Sequence, residues 1–154
     1  MNVNNVLKLL HLVAVVVFLG DIVVTAVWRL MADRTREPRV IAYALRLVQV
    51  TDKYLLVPSV FALALTGMAR AHLQGISLWA HPGLAAGQVS FMLCGLVWQL
   101  TLRPIQARQL AMAESMGEVD ASFDDYLRLT RKWFGWGILA MALAFGSMAL
   151  MTLR

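Results

Sequence analysis

Three histidines (His11, His72 and His81) and one carboxylate, Asp21, are the groups in this chain most able to do chemistry. His11 and Asp21 fall inside VLKLLHLVAVVVFLGDIVVTAVW, a run apolar enough to enter lipid. Ionisable groups are expensive in such a run, so they face a partner and mark function. A membrane b-type haem needs an imidazole on iron, an apolar slot between helices and cations near its propionates. His11 is the candidate axial ligand and metal-binding residue, and His72 or His81 the candidate second ligand. Lys8 and Arg70 are the candidate propionate partners. Three histidines are too few for two bis-histidine haems. A copper or zinc site of His11, His72 and His81 is the alternative chemistry. The plain alternative is a His11 that only hydrogen-bonds a neighbouring helix.

Asp21 belongs to a second group. It reaches the depth of Asp52 and Lys53, and an Asp21–Lys53 pair would offset both charges and pin two helices together. Proton handling by Asp21 is the other reading. Gln88 and Gln99 are expected to bond between helices. No Ser-His-Asp set, glycine-rich phosphate loop or HExxH motif is present, so no enzyme class is assigned. The single cysteine, Cys94, excludes an internal disulfide and a CxxC metal site and reads as a packing residue.

The elements that position these groups follow from composition. The chain has 154 residues, 60% hydrophobic and 15% charged, with a mean hydropathy of +0.67. Soluble domains are nearer half apolar and a quarter charged. Four apolar stretches, near 6–28, 54–73, 83–102 and 133–153, each suffice to cross a core of about 30 Å. The first is too long for a cleaved signal and no small-x-small site follows it. The fold expected is a single all-α, four-helix integral membrane domain.

Eleven of the fourteen Lys and Arg residues lie between spans one and two or between spans three and four. The positive-inside bias then puts both basic loops in the cytoplasm and both termini outside. Such charges orient spans and meet anionic lipid, so the basic balance implies no nucleic-acid partner. In this orientation His11 lies about 8 Å, and Asp21 about 22 Å, below the outer surface. Arg70, His72 and His81 come to the same outer side as His11.

Helical spacing continues past the cytoplasmic surface in RVIAYALRLVQVTDK (39–53) and in RPIQARQLAMAESM, up to a break at Gly117. Ser122 with Asp125 reads as a capping box opening the last helix. Pro58 is expected to kink span two, and Pro104 to cost less at a span end. Ala140 with Ala144, and Ala142 with Gly146, are small-xxx-small pairs, suited to packing inside the bundle or to self-association. Trp28, Trp79, Trp98, Trp133 and Trp136 read mostly as an interfacial aromatic belt.

LKLLHLVAVVVFLGDIVVTAVW, TDKYLLVPSVFALALTGMA and YLRLTRKWFGWG resemble domain-of-unknown-function family 2269, bacterial membrane proteins with four helices. More remotely, KLLHLVAVVVFLG is similar to the first span of HemJ-type protoporphyrinogen oxidases and of CopD-type copper-resistance proteins. The HemJ resemblance implies haem binding at His11. That family's third-span Trp-Leu-x-x-Lys signature is replaced here by Trp79-Ala80-His81-Pro82-Gly83. The leading expectation is a bacterial inner-membrane protein holding one haem b for electron transfer or redox sensing. The alternatives are a cofactor-free scaffold or accessory subunit of a membrane complex, and a small metal or solute permease. A homo-oligomer or a larger complex is the expected assembly.

Overall fold

The computed structural model describes residues 2–77, 81–116 and 123–153. They form four long helices: α1 (Val3–Thr35), α2 (Pro38–Leu73), α3 (Pro82–Ser115) and α4 (Phe123–Thr152), each long and apolar enough to cross a membrane. The chain is an all-α membrane bundle. The α1–α2 connection is tight because Arg36 takes a left-handed conformation (φ 55°), its N–H bonding the Asp33 carbonyl. Pro38 then opens α2 at a first-turn position, where a missing N–H costs nothing. Pro82 opens α3 in the same way, after the capping residue His81.

Two cores explain why the helices overrun the bilayer. Phe18, Leu56, Leu63, Cys94, Leu102, Trp133, Ala140 and Ala144 pack together along the membrane portion. A separate core of Ala32, Ile41, Ala42, Leu45, Ala113 and Tyr126 lies at the end carrying the basic loops. Ile41, Ala42, Leu45 and Val48 are all buried on one stripe of α2, as an amphipathic helix in water requires. There α2 packs on α1 and α3, and α3 on α4. Along the other half, α1 packs mainly on α2 and α3 mainly on α4. The molecule is therefore two hairpins joined closely at the basic end. Farther up, Phe18 and Phe91 meet across the seam at 5.7 Å in an edge-to-face contact.

Both prolines are accommodated alike, contrary to the expected difference between them. Immediately before Pro58 the helix widens into a π-turn, Asp52–Leu56, with Val57 N–H bonding the Asp52 carbonyl five residues back. Before Pro104 the same happens over Trp98–Leu102, with Arg103 N–H bonding the Trp98 carbonyl. A proline ring crowds the carbonyl four residues earlier, and a widened turn relieves that crowding.

The seam between α3 and α4 depends on small residues of α3 as well as of α4. A Cβ on Gly83 would lie 3.1 Å from the Leu150 carbonyl, and one on Gly87 would lie 2.8 Å from Met151 Cγ. Ser90 Oγ donates to the Leu143 carbonyl at 2.8 Å. Ala140 and Ala144 are buried in this packing, whereas Ala142 is exposed. The tryptophans divide likewise. Trp28 and Trp136 are exposed at the surface, but Trp133 is a core residue. Trp79, Gly117 and the Ser122 half of the capping box lie outside the described residues.

Candidate functional site

The histidine end holds less than the sequence suggests. His11 lies against α2, its Nδ1 2.8 Å from Thr66 Oγ1, with Gly67 beneath the ring. The Thr66 hydroxyl donates to the Ala62 carbonyl at 2.5 Å, so it accepts from Nδ1–H of His11. Arg70 interacts electrostatically with that imidazole, and its Nε is buried without a partner among the described residues. Lys8, His72 and His81 are exposed. Among the described residues no three His, Cys, Asp or Glu side chains come together as a metal site. For a haem, the imidazole and the slot stand apart. A large cavity between the hairpins has none of the three histidines on its wall.

That cavity, of about 1120 Å³, lies between the hairpins and draws its wall from all four helices. Its upper part is aromatic and apolar: Phe18, Phe61, Phe91, Met92 and Met141. Its lower part carries Asp21, Asp52, Lys53, Gln99, Arg103 and Gln106. The two π-turns bring Asp52, Lys53, Trp98 and Gln99 to this level.

Asp21 and Lys53 do not form the expected ion pair. The ion pairs among the described residues are Arg46–Glu114 and Arg128–Asp125, both exposed. Lys53 reaches outward, its Nζ 5.3 Å from the centre of the Tyr54 ring. Asp21 faces Thr51 and Asp52 instead. It is only 7% exposed, and Asp52 only 8%. Asp52 also faces Gln106 and the Trp98 indole, whereas Asp21 Oδ2 has no partner among the described residues. Two buried carboxylates thus share one end of a greasy chamber. One of the two expected glutamine contacts, that of Gln99, also falls elsewhere. Gln99 accepts from Arg103 of its own helix at 3.2 Å, while Gln109 bonds between helices.

Below the cavity lies an arrangement that nothing in the sequence singled out. Arg29 is 1% exposed, a position at which an arginine is rarely found without a carboxylate partner. Its Nη2 donates to Gln109 Oε1, and its guanidinium sits 3.7 Å over the Trp133 ring. Gln109 Nε2 donates onward to Thr130 Oγ1 at 2.9 Å. Nearby, the Tyr126 hydroxyl donates to Asp33 Oδ1 at 2.5 Å. Arg29 thereby links α1, α3 and α4. The one available signal was its position on the helical face of Asp21 and Thr25, at i+8 and i+4.

Sequence comparison is informative about kinship alone. Residues 5–154 match the family described as predicted integral membrane protein (DUF2269). The chain belongs to that family. No curated protein and no solved structure matches it. Membership in DUF2269 agrees with the four apolar helices and carries no activity with it.

Proposed function

We propose that this DUF2269 protein is a small solute permease of the bacterial inner membrane whose inner-half cavity takes a lipophilic organic cation. One observation carries the reading: Asp21, buried with an unpaired oxygen, lines a chamber that is otherwise largely aromatic and apolar. An uncompensated carboxylate in such surroundings costs several kcal/mol, which a cation entering with its own apolar groups offsets. Aromatic faces add roughly 0.5–2 kcal/mol for a desolvated cation. Pockets for drug-sized ligands run to about 1,000 Å³, so a cavity of about 1120 Å³ has the capacity. A bare metal ion would leave the aromatic wall unused.

The test is binding of tetraphenylphosphonium to the detergent-purified chain, followed by quenching of Trp98 and Trp133, both on the cavity wall. Asp21→Asn is expected to weaken binding about tenfold or more, since it removes the charge partner. Lys53→Ala should change it far less, because the Lys53 ammonium turns outward over Tyr54. A wild-type chain that ignores tetraphenylphosphonium, or an Asp21→Asn chain that binds it equally well, overturns the reading. The same preparation tests the haem b reading. A Soret band lost in His11→Ala would put electron transfer or redox sensing first. A colourless chain that also binds no cation would leave the scaffold or accessory-subunit reading.

A further inference from the structure

Between the cavity and the basic end, buried polar atoms without direct partners are concentrated. Asp21 Oδ2, Arg29 Nε and Nη1, Asp33 Oδ2 and Trp133 Nε1 are all buried and unpaired among the described residues. Donors and acceptors are both represented, which is how groups bridged by internal water are left when only side chains are considered. Their order is set by their neighbours. Asp21 faces Asp52, Asp52 faces Arg29, and Arg29 faces Asp33. Asp33 in turn accepts from Tyr126, which is fully buried in the basic-end core.

We propose that this column is a proton path, in which a cation entering at Asp21 and Asp52 expels one proton past Arg29 to Asp33 and the basic end. The inference rests on the cation reading given above. Two facing, buried carboxylates do not both ionise cheaply, so one of them holds a proton. On cation entry the O–H bond of that carboxyl breaks, and its electron pair stays on oxygen to face the cation. The proton passes to bridging water, then to the Asp33 carboxylate, then to solvent. One positive charge enters the chamber and one leaves it. The other charged or titratable groups along this route are Lys53 on α2 and Arg103 on α3, at the lower end of the cavity, and Tyr126 on α4. The uncharged ones are Thr51 on α2, Gln106, Gln109 and Trp98 on α3, and Thr130 and Trp133 on α4.

The test uses the whole chain in detergent. Calorimetric titration with tetraphenylphosphonium, in buffers of different ionisation enthalpy, counts the protons released. About one per cation is expected, and close to none in Asp52→Asn, which keeps Asp21 to bind the cation. Stopped-flow mixing with a pH-indicating dye then follows the rate of release. Asp33→Asn keeps an oxygen for Tyr126 but cannot relay a proton. It should slow release about tenfold or more, leaving affinity and melting temperature unchanged, and Asp33→Glu should restore the rate. Cation binding with no proton released overturns the path and leaves the cation site standing. An unchanged rate in Asp33→Asn overturns the path as well. So does a joint fall of affinity and melting temperature that Asp33→Glu does not rescue, since Asp33 is then structural. A wild-type chain that binds no cation overturns both proposals.

Discussion

The Tyr126 hydroxyl, fully buried, meets the partly buried Asp33 carboxylate, on the last helix and the first. Neither lines the cavity, so their contact can be tested apart from any ligand. Tyr126→Phe removes the donor but keeps the ring stacked at 5.9 Å on Phe123. The carboxylate is then left without its donor, which costs about 1–3 kcal/mol. The expected outcome is an earlier unfolding midpoint in denaturant, with tetraphenylphosphonium affinity unchanged. A midpoint equal to wild type would mean that water replaces the hydroxyl at no cost. The surface pair Arg46–Glu114 is as close, at 2.6 Å, yet exposed pairs of this kind contribute about 0–1 kcal/mol.

At the scale of elements, the α3–α4 seam makes the sharpest demand on residue size. Gly87→Leu places a side chain where even a Cβ lies 2.8 Å from Met151 Cγ and 3.2 Å from the Ser147 carbonyl. Overpacking of this kind costs about 1–3 kcal/mol, and melting in detergent should register it. Gly20→Ala is the control: nothing lies within 4 Å of its Cβ, and helix propensity favours alanine by about 1 kcal/mol. Equal melting temperatures for the two variants would contradict the seam. The helices themselves were legible, because runs such as Val57–Leu73 are predominantly apolar and Pro38–Thr51 keeps a helical stripe. Hydropathy has no register for a π-turn, so Asp52 and Trp98 could not be assigned to one chamber. The glycines of α3 passed as ordinary residues in an apolar run. Depth arithmetic placed Asp21 beside Asp52 and Lys53 but carried no azimuth, so it could not tell which side chain turned inward. Arg29 and Gln109 were masked by their setting, since charged and amide groups just past a span normally face water.

For the molecule as a whole, charge distribution decides direction. The basic end carries a water-type core with buried Ile41, Leu45 and Tyr126, which belongs outside the hydrocarbon. Reporter fusions near Gly117 should therefore behave as cytoplasmic and fusions at Arg154 as periplasmic. The reverse pattern would place the Asp33 end of the polar column outside and invert the direction of proton exit.

The two hairpins also have a consequence for how the protein is made and held together. Each has its own lengthwise packing, and what locks one to the other is concentrated at the basic end, where Arg29 grips Gln109 and Trp133. The short stretch linking α2 to α3, at the opposite end, is then dispensable as a tether. Co-expressed as separate pieces, residues 1–77 and 81–154 should insert independently and reassociate into a pair that co-purifies. Arg29→Ala, harmless to the insertion of either piece, should weaken that reassociation and lower the share that co-purifies. The intact chain carrying the same substitution would still run as one species on a sizing column. Division of labour between covalent continuity and the buried contacts of the basic end would thus be visible as a difference between cut and uncut protein.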